Sequence, residues 1–260
     1  KEHSMIIRLW KGYHSPGLEQ LVANAWDAKG QELLILCPPM LQDFSFLRSM
    51  PEGFLRLHGT WSDLERNEIA KHYAKGNPVV FRETPVLGVF TSGTLSSSPR
   101  LVLYSRRNVQ ASLDSIFGLF DKTKIEHVFC YPQAFHTFGL TLGYLSAHVF
   151  GWKLHTPEGK YGQASHAQRL ALQEENVLTL GTPTHFFDLL SSAKNSATAI
   201  APSYSCIMGG ASVSRDLWSR VQSELKIAAP SIGYGCTEAA PGITHLPPGQ
   251  APEHDDEIGL

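Results

Sequence analysis

The side chains that could do chemistry in this chain of 260 residues sit in a few short stretches rich in Gly, Ser and Thr. The first is Thr91-Ser92-Gly93-Thr94, which continues through Leu95 and Ser96 to Pro99 and Arg100. Short hydroxyls and closely spaced backbone N–H groups can donate to an anion, and Gly93 has no Cβ to hold that anion away. Arg100 adds a permanent positive charge beside them. The second is Gly233-Tyr234-Gly235-Cys236-Thr237-Glu238. Tyr234 offers a ring face to a flat ligand, Thr237 a hydroxyl to a phosphate, and Glu238 a hard oxygen suited to Mg2+. In Met208-Gly209-Gly210-Ala211-Ser212 the glycines permit close approach of backbone to ligand. His136, in Tyr131-Pro132-Gln133-Ala134-Phe135-His136-Thr137-Phe138-Gly139, is the one imidazole of this set. Each stretch alone has a plainer reading: a polar loop between strands, a tight turn, a packed histidine.

The elements that would position these residues follow from apolar patterning. Val86–Phe90 and Leu101–Tyr104 read as strands on either side of the first stretch. Ser105 then caps a helix whose apolar face is Val109, Leu113, Ile116, Phe117 and Phe120. Upstream, Leu18, Leu21, Val22 and Ala25 have helical spacing, ended by Gly30. Leu33–Cys37 reads as a buried strand, and Asp43–Met50 as a short helix. Ser62 and Glu65 form a capping box before a helix to about Lys75. Downstream, strands at 127–131, 152–155, 177–180, 204–208 and 228–232 alternate with helices at 139–150, 165–175, 182–193 and 215–225. Such alternation predicts an α/β fold with a largely parallel sheet, whose ligands bind beyond the carboxyl ends of the strands.

Composition is that of a globular protein, 42% hydrophobic and 18% charged. The formal net charge of −2 gives no electrostatic ground for a nucleic-acid or membrane partner. No apolar run approaches the length of a membrane span. The four cysteines, Cys37, Cys130, Cys206 and Cys236, are far apart without a C-x-x-C pair, so buried free thiols in a reducing cytoplasm are expected.

The first stretch is not a Walker A loop, because G-K-[ST] is missing and a strand follows it. Strand, Ser/Thr/Gly loop, basic residue, strand and a helix opening Ser105-x-x-Asn108 resembles the phosphate-binding loop of the adenylate-forming superfamily. Thr91, Ser92, Gly93, Thr94 and Pro99 match its [ST]-S-G-T-T-G-x-P-K pattern. Leu95 and Ser96 replace the second T-G pair, one residue is inserted, and Arg100 stands for the Lys. The stretch around His136 is similar to the family's P-x-x-H-x-x-G, and Val177–Leu190 to its strand, G-x-P, helix element. Gly209-Gly210-Ala211 resembles G-G-A, and Tyr234–Glu238 resembles Y-G-x-T-E.

The resemblance implies an α/β fold of largely parallel sheets flanked by helices. Residues 1–260 would form the large AMP-binding N-terminal domain, with the small C-terminal domain, or a partner subunit, missing. It also implies the reaction: a carboxylic acid attacks the α-phosphate of ATP, pyrophosphate leaves, and the acyl-adenylate is passed to coenzyme A. By that resemblance Thr94, Arg100 and Glu238 are catalytic, and Glu238 is the Mg2+ ligand. Thr91, Ser92, Gly93, Thr94, Gly209, Gly210, Ala211, Tyr234, Gly235 and Thr237 bind the nucleotide. His136, Gly209 and Gly233 line the acyl pocket, while Asp255 and Asp256 are not the ribose ligand. The segment before the loop is short, which points to the o-succinylbenzoate–CoA ligases of menaquinone synthesis. The rival expectation is a non-catalytic nucleotide- or acyl-binding module, or one subunit of a split synthetase.

Overall fold

The structure, a computed structural model, describes residues 5–77, 79–91, 99–196, 200–255 and 257. The chain divides into two compact units, Lys1–Val109 and Gln110–Leu260.

The first unit contains β1 (Met5–Lys11), α1 (Leu18–Asp27), β2 (Glu32–Cys37), β3 (Gly53–Gly59), α2 (Asp63–Ala74), β4 (Pro85–Phe90) and β5 (Leu101–Ser105). Its sheet has the order β3-β1-β2-β4-β5. All pairs are parallel except β4 with β5, the hairpin around the first chemical stretch. Leu33, Leu34, Ile35, Leu36 and Cys37 are fully covered, as a central strand buried on both faces requires. The capping box at α2 forms as expected: Ser62 Oγ accepts from the N–H of Glu65, and the N–H of Ser62 donates to Glu65 Oε2 at 2.9 Å. The sequence reading passed over β1 and β3. In β3 the intermediate and exposed residues alternate, and Phe54 points outward, so no buried run marks it.

The helix α3 (Arg106–Phe117) carries the boundary between the units. Ser105 caps it, accepting from the N–H of Asn108 while Asn108 Oδ1 accepts from the N–H of Ser105.

The second unit holds β6 (His127–Cys130), a π-helix (Phe138–Leu145), α4 (Ser146–Phe150), β7 (Lys153–His155), α5 (Gln163–Ala171) and β8 (Val177–Gly181). It continues with α6 (Pro183–Lys194), β9 (Ser203–Gly209), α7 (Arg215–Ser223), β10 (Ile227–Gly235) and β11 (Gly242–Leu246). The sheet order is β11-β10-β9-β8-β6-β7, parallel except where β11 returns beside β10. Strand alternation sorts this unit into two faces. Phe129, Tyr131, Cys206, Met208 and Ile232 pack with Leu170, Phe186, Leu190, Leu217 and Val221 of α5, α6 and α7. The residues between them, Val128, Cys130, Ile207, Gly209 and Gly233, point to the opposite face, where Gly143 of the π-helix lies against Cys130.

Two expectations for this unit need correction, and one strand was not foreseen. The stretch read as one helix from Gly139 to Phe150 is wound as a π-helix for its first part. All of its residues from Gly139 to Ala147 are buried, so no polar stripe existed from which to read its period. The helix read to Glu175 stops at Ala171, because Leu172 takes an extended ψ of 98°. The antiparallel β11 is not among the expected strands, since Ile243 and Leu246 are separated by Thr244 and His245 and no apolar run marks it.

Cys37, Cys130 and Cys206 are buried free thiols and Cys236 is an exposed one. Burial pushes the Cys206 thiol up to about 12, so it stays protonated and inert. Among the described residues no helix is long and apolar enough to cross a membrane.

Candidate active site

The β4–β5 hairpin brings Thr91 and Arg100 together at its mouth. The N–H of Thr91 donates to the Arg100 carbonyl at 2.9 Å, and the N–H of Arg100 donates to Thr91 Oγ1 at 3.1 Å. These bonds pin the two ends of the hydroxyl-rich loop to each other. Ser92, Gly93 and Thr94, with Leu95 and Ser96, lie outside the described residues. Thr91 and Arg100 belong to the first unit, and every other described candidate belongs to the second.

In the second unit the remaining candidates gather at the carboxyl ends of the parallel strands, where ligands of α/β sheets bind. Gly209 and Gly233 are direct partners in the β9–β10 ladder. A Cβ on Gly209 would lie 2.7 Å from the Gly233 carbonyl oxygen and 3.7 Å from the Phe138 ring, so only glycine leaves this backbone bare. Gly210, at φ 81°, turns the chain out of β9 toward Ala211, and both are exposed. Beyond β10, Tyr234 is 47% exposed, a large ring left open at the surface. Gly235 is held so close to the returning chain that a Cβ would meet the Pro241 carbonyl at 1.8 Å. That contact goes with a bond from the N–H of Cys236 to the Pro241 carbonyl, which closes the turn carrying Thr237 and Glu238. Thr237–Ala239 is one 3-10 turn with the Glu238 carboxylate exposed on it.

His136 is exposed in the loop after β6, its ring 4.7 Å from that of Phe135. Partial burial of the imidazole still lowers its pKa, so the ring is neutral at pH 7. It is Phe138, two residues on, that faces Gly209. The loop itself is tied down, with Gln133 Nε2 donating to the Gly159 carbonyl at 3.2 Å.

The sequence reading missed a polar cluster at the same strand ends. Tyr131 Oη lies 3.2 Å from His166 Nδ1, and Tyr161 Oη lies 3.0 Å from His166 Nε2. Tyr161 Oη also donates to Asp188 Oδ2 at 2.5 Å. The Tyr131 ring stacks on His185 at 5.0 Å and 12°. The N–H of Thr182 donates to His185 Nδ1 at 2.9 Å, so His185 acts as the reaching-back member of a capping box at α6. Burial holds its imidazole down to about 4, which keeps Nδ1 free to accept. The spacing of Thr182 and His185 was the only available signal, since the box usually carries Glu or Gln there. Asp255 Oδ1 accepts from the N–H of Arg215 at 2.8 Å, at the opening of α7, and Asp256 lies outside the described residues.

Comparison with known proteins fixes the family. The model of the AMP-binding enzyme family matches residues 48–260. The chain belongs to that family. Among curated proteins, this AMP-binding chain is 30% identical over 159 residues to the acyl-CoA ligase sidI of Aspergillus fumigatus, covering 58% of the chain and 25% of that protein. It is also 30% identical over 153 residues to the acyl-CoA ligase SID4 of Ajellomyces capsulatus, covering 58% of the chain and 26% of that protein. These matches span about a quarter of each relative's length. Among solved structures, a malonyl-CoA ligase ternary product complex with methylmalonyl-CoA and AMP superposes with a TM-score of 0.70 at 18% identity, over 98% of this chain and 56% of that one. The Bacillus subtilis o-succinylbenzoate CoA synthetase with its acyl-adenylate intermediate superposes with a TM-score of 0.67 at 13% identity, over 94% and 51%. These likenesses confirm the α/β fold of mixed, mostly parallel sheets flanked by helices that was read from the alternation of elements.

Proposed function

We propose that this chain is the nucleotide- and acyl-binding part of an ATP-dependent acid–thiol ligase. In this reading a carboxylate attacks the α-phosphate of ATP, pyrophosphate leaves, and the acyl group of the adenylate passes to the thiol of coenzyme A. The observation that carries the reading is the family match over residues 48–260, which includes every candidate site residue. The acyl-CoA ligase relatives support the reaction class.

The chemical difficulty is to bring an anion onto a polyanion with attacking and leaving groups in line. Ser92, Thr94 and the loop amides would hold the β- and γ-phosphates, with Thr91 and Arg100 at the loop's mouth. Tyr234 would lay its open ring against adenine, the backbone of Gly209, Gly210 and Ala211 would allow the nucleotide to approach, and Gly235, packed against Pro241, would hold the turn beside it. Thr237 would donate to a phosphate. Mg2+, when bound, neutralises phosphate charge. Glu238 suits it as a single exposed carboxylate, because Mg2+ takes one or two protein carboxylates and fills its shell with phosphate and water oxygens. Gly209, Gly233 and His136 would border the acyl group. The domain reading goes with this: residues 1–260 act as the AMP-binding domain, completed by a small C-terminal domain or partner subunit. The buried free thiols suit a reducing compartment such as the cytoplasm. For the acid we propose o-succinylbenzoate, and with it a place in menaquinone synthesis. The fold shared with o-succinylbenzoate CoA synthetase supports it.

The test is thioester formation by the full-length protein with ATP, Mg2+, coenzyme A and a panel of acids, in wild type and Glu238→Ala. We expect acid-dependent AMP release and thioester, with kcat/KM in Glu238→Ala lower by about a hundredfold or more and thermal stability unchanged. Nucleotide binding without turnover on any acid would instead make the protein a binding module.

A further inference from the structure

The sheet face that carries Phe138 and the end of α3 is lined by glycine. A Cβ on Gly233 would lie 2.5 Å from Cε1 and 3.0 Å from Nδ1 of His245. One on Gly242 would lie 2.5 Å from Cδ1 of Ile116 and 3.4 Å from Nε2 of His245. Gly233 and His245 are direct partners across β10 and β11, so the imidazole leans over the place where Gly233 has no side chain. Gly209 is next in the same row, under Phe138.

His245 is only 9% exposed. Among the described residues its Nδ1 is buried with no hydrogen-bond partner. Ser112 Oγ, one turn before Ile116 on the α3 face that touches Gly242, is a second buried polar atom without a hydrogen-bond partner among the described residues. Leaving such groups unpaired costs free energy, and interiors do so rarely. Burial holds the imidazole down to about 4, so at neutral pH it is an uncharged ring with one acceptor and one N–H. Such a ring can accept from a hydroxyl or donate to a hydroxyl or keto oxygen, and its position beside the Gly209–Gly233 floor would set it against the acyl group of the proposed site.

We propose that the acid carried by this protein bears a hydroxyl or keto oxygen on its acyl chain, and that His245 is the side chain that pairs with that oxygen. This rests on the acid-activating reading above. A site built to pair with a substrate oxygen discriminates strongly against the analogue that lacks it, because the protein group is then buried unpaired.

The experiment measures acid-dependent pyrophosphate release by the full-length protein on matched acids. The pairs are butanoate with 4-hydroxybutanoate, pentanoate with 4-oxopentanoate, and 2-(3-carboxypropyl)benzoate with o-succinylbenzoate. In the wild type, kcat/KM for the best oxygenated acid should exceed that of its plain partner by about tenfold or more. In His245→Leu the ratio should fall to within about twofold, and in His245→Gln, which keeps a donor and an acceptor, most of it should return. A wild type that does not distinguish the partners overturns the proposal and leaves a bound water as the histidine's partner. A His245→Leu protein that keeps the full preference overturns it too. Thermal unfolding shows which variants are folded, and should His245→Leu fail to fold, the wild-type and His245→Gln ratios decide. Pyrophosphate release with none of the acids is a different result, and overturns the acid-activating function itself.

Discussion

Two imidazoles, the partly buried His185 and the buried His245, are held down to about 4 by loss of hydration, and they differ in what replaces the water. His185 takes the N–H of Thr182 and stacks on Tyr131, with His166 pushing its pKa lower and Asp188 opposing that. His245 Nδ1 has no hydrogen-bond partner among the described residues. An unfolded histidine titrates near 6.5, so between about pH 6.5 and 4 the unfolded chain binds more protons than the folded one. Stability is therefore full above that window and is lost as pH falls through it, by about 1–2 kcal/mol per histidine at pH 5. Urea unfolding from pH 7.5 to 5 should show this loss, and His185→Gln should remove part of the slope. A slope that the substitution leaves intact would contradict the assignment. Tyr234 and Glu238 can be proposed from sequence because their motif is contiguous. His245 could not, because its meaning comes from Gly233 on a neighbouring strand.

At the scale of elements, what is legible is what is local. The Ser62–Glu65 and Ser105–Asn108 boxes set helix starts within three residues of sequence, and both form as read. The π-helix depends instead on what surrounds it. A Cβ on Gly139 would meet the Pro132 and Gln133 carbonyls at 2.3 Å, and one on Gly143 would meet Cys130 Sγ at 2.4 Å. Gly143 thus accepts the sulfur of β6 where any larger residue would not fit. Gly143→Ala should cost about 2 kcal/mol by overpacking. Cys130→Ala removes the offending atom, so the double variant should recover at least half of that loss. Simple addition of the two single losses in urea unfolding would show that the contact is not what limits residue 143.

Over the whole molecule, the α/β class was legible because strands and helices alternate. The division into two units was not, because its boundary between Val109 and Gln110 falls inside α3, and no Pro- or Gly-rich linker marks it. Each unit closes its sheet with an antiparallel strand, β5 in one and β11 in the other, and each of these follows one of the two chemical stretches. The reaction we propose is acid activation by AMP transfer. The most direct measurement is exchange of labelled pyrophosphate into ATP by the full-length protein. Label should enter ATP only when an acceptable carboxylic acid is present, with no coenzyme A needed. Cleavage of ATP to ADP, or exchange that ignores the acid, would contradict it.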